Sequence, residues 1–273
     1  AIGNDEQAFG GCRIDGIIPS SHALCPRGNA LAVSRQAAGG RRFTMNVLKE
    51  LPFTMATCRA LEACSEEWVE RGGRGVALQV EFTEGGEVRF SPGGLCFANY
   101  WTFLRAVTHG FAWPRIAPLL MKPLETFRAI RTLRGLAGAF LDAKDAETKA
   151  ALGLRGGLAA AEAFARLEPK CVEALARECP GTVVFTVAGE DLAVWFRIEP
   201  DARYRSGSGD PPDDPAARVC FRDLEVACRA VDGKLDSLAA PALGEVEVSG
   251  RIPLAEAVGY VADMAARNLV FAR

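Results

Sequence analysis

The chain has 273 residues, 49% of them apolar and 24% charged, with a formal net charge of -2. That composition suits one large or two modest folded domains and excludes a chain disordered throughout. The balance of charge gives no general attraction to nucleic acid, so no nucleic-acid partner is expected, and no uncharged apolar run is long enough to span a membrane.

Residues 1–42 hold seven glycines and two prolines with little periodicity, as expected of a flexible N-terminal arm. Their first residues show neither a basic start nor an apolar core, so no signal peptide is expected. Residues 43–50 are weakly helical, with a break expected at Pro52. Residues 54–71 place Met55, Cys58, Leu61, Ala63, Trp68 and Val69 on one side of a helix closed by Gly72-Gly73. Residues 76–82 alternate as a strand, Glu84-Gly85-Gly86 is a hairpin turn, and residues 87–90 return. A short strand at 95–97 leads into a helix at 99–108. Residues 111–141 are helix-prone and interrupted by Pro114, Pro118 and Pro123.

The charged run at 142–149 and the glycines at 153–157 read as a linker between domains. A helix follows at 162–177, stopped by Pro180-Gly181. Residues 183–187 and 192–198 form a hairpin across Gly189-Glu190-Asp191, and residues 205–215 read as a loop. From 217 the pattern is sharper. Val219 and Phe221 alternate with polar neighbours, and at Asp223 the period changes from two to 3.6, with Phe221, Leu224, Ala227 and Cys228 recurring at helical spacing. Residues 245–248 alternate again, with Glu245 and Glu247 on the solvent face. A helix then opens on Pro253 and carries Leu254, Ala257, Val258, Val261, Ala262, Ala265 and Leu269 as one stripe.

The two halves echo one another. Cys96-Phe97 followed by Arg105-Ala106-Val107 has the spacing of Cys220-Phe221 followed by Arg229-Ala230-Val231, Leu61-Glu62 answers Leu167-Glu168, and Pro123-Leu124 answers Pro253-Leu254. The expected organisation is a duplicated α+β unit in which small antiparallel or mixed sheets pack with helices. Residues 43–150 are the degenerate first copy, and 151–273 are the second.

Catalytic groupings are sparse. His22 lies in the arm, and His109 follows a helix where an imidazolium suits the C-terminal end. Ser206-Gly207-Ser208-Gly209 does not fit a nucleophile elbow. Gly153-x-x-Gly156-Gly157 lacks the ending of a phosphate-binding loop. Nine cysteines without metal-ligand spacing read as reduced apolar residues, so a cytoplasmic protein is expected. Neither catalysis, nor a metal, nor a cofactor is expected.

Phe221-x-x-Leu224, Gly233-Lys234-Leu235 and Leu243-Gly244-Glu245-Val246-Glu247-Val248-x-Gly250 before an amphipathic helix resemble the sterol carrier protein 2 family. The resemblance is to the C-terminal unit. It implies a lipid-binding domain with a hydrophobic tunnel between sheet and closing helices, holding a fatty acyl chain, sterol or similar lipid for transport. Glu245 and Glu247 stand where the family strand is rich in lysine, which leaves the fold expectation intact and removes any about membranes or partners.

The apolar candidates for such a pocket are Phe185, Val187, Trp195, Phe196, Phe221, Leu224, Leu235, Leu238, Val246, Val248, Leu254, Val258, Val261 and Met264. The same residues suit a plain core. In the alternative reading Phe185, Trp195, Phe196 and Phe221 plug the tunnel, and the fold is the interaction surface of an accessory or scaffold protein.

A further signal runs from Arg105 to Arg134. Six basic residues, Arg105, Arg115, Lys122, Arg128, Arg131 and Arg134, face the single acid Glu125 and interleave with Trp101, Phe103, Phe111, Trp113, Leu119, Leu120, Met121 and Phe127. Such a segment suits peripheral contact with an anionic membrane through Arg115, Lys122, Arg128, Arg131 and Arg134. A helical hairpin packed on its neighbour, with its arginines in solvent, gives the same pattern.

Overall fold

Helix α1 (Val47–Glu70) begins the described chain and is followed by β1 (Gln79–Phe82), β2 (Val88–Ser91), β3 (Cys96–Phe97), α2 (Tyr100–His109) and α3 (Pro123–Leu141). Then come α4 (Ala146–Leu167), α5 (Pro169–Ala176), β4 (Gly181–Val187), β5 (Ala193–Ile198), β6 (Tyr204–Ser208) and β7 (Ala217–Phe221). The last elements are α6 (Leu224–Val231), α7 (Ala239–Ala242), β8 (Val246–Gly250) and α8 (Ile252–Asn268). The computed structural model describes residues 47–83, 86–109, 114–115, 120–141, 145–201, 203–237 and 239–268. The expected arm at 1–42, with His22, lies outside these residues, as do Leu238 and Leu269.

The class is α+β, with two sheets. One is antiparallel in the order β1-β2-β3; the other is mixed, in the order β6-β5-β4-β7-β8, with β4 and β7 parallel and the remaining pairs antiparallel. The two sheets differ in strand number and in pairing. β3 pairs with β2, the second strand of its hairpin, whereas β7 crosses over to lie beside β4, the first strand of the other.

Four sequence expectations are corrected. The break at Pro52 is absent, because α1 runs through it. The ring of Phe53 meets Phe164 of α4 edge-on at 5.6 Å, and Thr57 donates to the Phe53 carbonyl at 2.8 Å, so packing on α4 outweighs one lost helical bond. The supposed linker is helix: α4 contains residues 153–157, capped by Asp145, which accepts from the Thr148 amide at 3.1 Å. The expected helix at 162–177 is two helices. Pro169 forces Glu168 into an extended conformation (φ -91°, ψ 116°) and then opens α5.

The fourth correction concerns residues 205–215, whose first part is strand β6. Gly207 stands opposite Trp195, and a Cβ there would lie 2.3 Å from the indole, so the strand passes only because that position has no side chain. A smaller difference is that β1 starts at Gln79 and not at Val76. The amides of Val76 and Leu78 are taken by the hydroxyls of Thr132 and Ser65, at 2.8 and 2.7 Å, which leaves them unavailable to a ladder.

The spine of the fold is the contact of α1 with α4. α4 presents Ala150, Ala151, Ala159, Ala160, Ala161, Ala163 and Ala165, all buried. Small side chains let helices approach closely, and two glycines show how closely here. A Cβ at Gly153 would lie 2.2 Å from Val231, and one at Gly156 would lie 2.5 Å from the Cys64 sulfur. The resulting burial raises the thiols of Cys58 and Cys64 to about 12, mainly through desolvation. The seven described cysteines are free.

Gly156→Ala is expected to destabilise by about 1–3 kcal/mol through overpacking, outweighing the ~1 kcal/mol that alanine gains in helix propensity. Gly157→Ala, with nothing within 4 Å of its added Cβ, is expected to stabilise instead. Urea denaturation of both variants checks this: equal stabilisation of the two would refute the close approach.

Candidate functional site

The register of the mixed sheet sorts the predicted pocket residues. Val183 pairs with Phe196 and Ala217, Phe185 with Val194 and Val219, and Val187 with Phe221. Val219 then pairs with Val248, and Phe221 with Val246. Because paired residues share a face, Phe185, Val187, Phe196, Phe221, Val246 and Val248 lie on one side of the sheet, within one apolar cluster. α8 lies on the same cluster. Leu254, Val258 and Val261 recur at four and three residues and have no exposed surface, and Met264, one turn further on, is half-buried.

Trp195 is the exception. It pairs with Val184 and Gly207, so it lies on the opposite face, and its indole N–H is buried without a partner among the described residues. Of the four rings that the sequence offered as a plug, three share the inner face and Trp195 does not. Phe185, Phe196 and Phe221 are inside, and alternation along β5 turns the residue next to Phe196 away from them. Leu224, the first residue of α6, and Leu235, just beyond it, are half-buried against the same cluster.

Burial is graded across this layer. Residues of β4, β5 and the first turns of α8 are sealed, while Val248 on the edge strand, Leu224, Leu235 and Met264 retain exposed surface. Leu243 and Ile252, flanking β8, are 67% and 49% exposed. The apolar interior thus runs out to the surface at the β8 side.

The polar groups that meet this interior are structural. The buried carboxylate of Glu162 accepts from the Ser206 amide at 2.5 Å, the Ser206 hydroxyl at 2.7 Å and the Arg59 guanidinium at 3.2 Å, which ties α4 to β6 and α1. Arg155 also donates to the Ser206 hydroxyl, at 2.9 Å, and Arg166 to the Tyr204 carbonyl, at 2.8 Å. Sequence reading missed this node because a lone glutamate in an alanine run carries no motif and its partner strand read as loop. Glu245 is likewise corrected: it is mostly buried and pairs with Arg229 at 2.7 Å, and only Glu247 is exposed. His109 ends α2, and its side chain lies outside the described residues.

Two clefts open elsewhere. One of about 500 Å³ is lined by Trp68, Gly72, Gly73, Arg74, Arg131, Arg134 and Gly135. One of about 290 Å³ lies among Glu67, Glu70, Arg71, Asp191 and Ser208. None of the predicted pocket residues lines either. The predicted membrane-surface residues Arg115, Lys122, Arg128, Arg131 and Arg134 are all exposed. Arg115 pairs with Glu87, and Lys122 lies 3.4 Å from Glu125. No group of three metal-ligating side chains occurs among the described residues, and no described helix is long and apolar enough to cross a membrane.

Fold and site together define an α+β protein whose mixed sheet carries a helix-covered apolar face with a half-buried margin at β8. No family model matches the chain, and no curated protein matches it. Among solved structures it is similar to a ubiquinone synthesis protein, UbiJ-SCP2, at 20% identity over 37% of this chain and 81% of that one, with a TM-score of 0.29. Sterol carrier protein 2 from Yarrowia lipolytica, in its apo form, matches at 18% identity over 33% and 76%, with a TM-score of 0.25. The stereoselective inverting sec-alkylsulfatase Pisa1 from a Pseudomonas species matches at 11% identity over 73% of this chain and 32% of its own, with a TM-score of 0.26. Likenesses this distant assign neither ligand nor activity.

The helix bearing Leu224 is set by Asp223, whose carboxylate accepts from the Val226 amide at 2.8 Å. That backbone hydrogen bond, with the Arg222 guanidinium next in importance, holds Asp223 below the ordinary carboxylate range. A lowered folded-state pKa gives stability that is present at neutral pH and is lost as pH falls through that value. Asp223→Ala is expected to cost about 0.5–2 kcal/mol at pH 7. Its deficit relative to wild type should vanish in acid, and thermal melts across pH check the sign.

Proposed function

We propose that the chain binds a hydrophobic small molecule, a fatty acyl chain, sterol or similar lipid, and carries it without transforming it. The observation that supports this reading is the half-buried apolar margin. Val248, Leu224, Leu235 and Met264 are half-buried and packed on a sealed interior that continues behind them. A guest seated there exchanges water for apolar contact at about 25 cal/mol per Å². Its way in lies along the β8 edge, where displacing side chains disturbs no strand pairing. The buried carboxylate of Glu162 is engaged by Ser206 and Arg59, and the Ser206 hydroxyl also by Arg155, which supports a structural role for both.

A second reading is favoured by one observation. Phe185, Phe196 and Phe221 are all buried on the inner face, as expected of a filled interior serving an accessory or scaffold protein.

Delipidated protein titrated with a fluorescent fatty acid separates the two. Saturable micromolar binding, weakened at least about tenfold by Val248→Lys because a charge in an apolar site is costly, is the carrier outcome. Absence of saturable binding by a sample whose circular dichroism is native would leave the scaffold reading.

A further inference from the structure

α3 is held in one orientation by its inner side. Thr132 accepts from the Val76 amide at 2.8 Å and donates to the Val76 carbonyl at 2.9 Å, Thr126 accepts from the Gly94 amide at 2.9 Å, and Ala129, Leu136 and Ala139 are buried. These contacts fix what the helix and the residues just before it turn outward. Leu120, Met121, Leu124 and Phe127 are 72, 83, 76 and 65% exposed. Rotating them inward would break both threonine contacts. Large apolar side chains this exposed and this close together mark a contact surface.

The outer face continues as cation. Arg128, Arg131 and Arg134 are exposed and recur at three residues, directly after the apolar group. Arg59, Arg71, Arg177, Arg229 and Arg267 each hold a carboxylate. These three make no ion pair among the described residues. Two of them, Arg131 and Arg134, line the 500 Å³ cleft with Arg74, against the Trp68 ring. That ring is braced by Gly73 and Gly135, where a Cβ would lie 2.2 and 2.6 Å from it, and its N–H donates to the Arg74 carbonyl at 3.3 Å. The only acid on α3 is Glu125, already beside Lys122.

We propose that this face docks on an anionic lipid bilayer. The helix enters tilted: Leu120, Met121, Leu124 and Phe127 pass into the acyl boundary, and the arginine end, about 15 Å further along the axis from Leu124 to Arg134, stays among the phosphates. A headgroup phosphate is taken up in the cleft that Arg74, Arg131 and Arg134 line. Neither nucleic acid nor an acidic peptide accounts for four exposed apolar side chains leading the arginines, whereas a bilayer supplies an apolar layer beneath an anionic one. This proposal does not depend on the carrier reading, since the residues of the two surfaces do not overlap.

Vesicle sedimentation of the full chain tests it. Vesicles of phosphatidylcholine containing phosphatidylserine should pellet the protein and phosphatidylcholine alone should not, with release at high salt. The charge-reversed Arg128→Glu/Arg131→Glu/Arg134→Glu chain and the Leu124→Asp/Phe127→Asp chain should each bind at least about tenfold more weakly. All five substitutions are of exposed residues and are expected to leave the circular dichroism native. Soluble glycerophosphoserine should fail to compete, which separates a bilayer from a free phosphate ligand. Equal pelleting on neutral vesicles, variants that pellet like the native chain, or a native chain that stays in every supernatant would each overturn the proposal.

Discussion

The parallel pairing of β7 with β4 is the constraint on which the C-terminal half depends. Phe185 stands beside Val219 and Val187 beside Phe221, and from β7 the register passes to Val246 and Val248 on β8. Side chains alternate along a strand, so a slip of one residue would turn this whole set to solvent and bring Arg218, Cys220 and Glu247 inward. The apolar face exists only in this register. A parallel neighbour also requires a long connection, and the chain spends it on β5, β6 and the loop at 209–216. Asp213 of that loop accepts from Thr182 at 2.6 Å, pinning it over the outer face of β4.

What holds the sheet in place is a helix pair brought close by small residues. α4 meets α1 through alanines and Gly156, meets α6 at Gly153, and reaches β6 through Glu162 and Ser206. Close packing gives this arrangement its rigidity, because glycine and alanine leave little side-chain freedom to lose and no room for displacement. Glu162 adds direction. A buried carboxylate with three donors fixes which part of α4 lies against β6, and replacing any one donor would leave a charged group unsatisfied in the interior.

Two apolar surfaces result, and they differ in kind. The margin at β8 is the outer limit of the core, half-covered and continuous with sealed side chains. On the surface before and along α3, turned away from the buried side of that helix, Leu120, Met121, Leu124 and Phe127 stand in solvent next to arginines that no described carboxylate neutralises. The first suits a small guest and the second a broad, anionic partner. The helix that presents the second is secured by Thr126 and Thr132, which take backbone groups from the loops preceding β1 and β3.

Much of the C-terminal half was legible in the chain itself. The change of period at Asp223, the proline at 253 and the alternation at 246–248 are local signals, and α6, α8 and β8 formed where they pointed because capping and amphipathic burial act over a few residues. Tertiary contact decided the rest. Gly153 and Gly156 read as linker, since nothing within a few residues reveals that Val231 and Cys64 will fill the space beside them. Residues 205–208 read as loop until Trp195 is laid across Gly207, and Trp195 itself passed for a pocket residue until pairing turned it to the other face. Local propensity determined the elements; which small residue meets which distant side chain, and so where the apolar face opens, was fixed only when the helices and strands met.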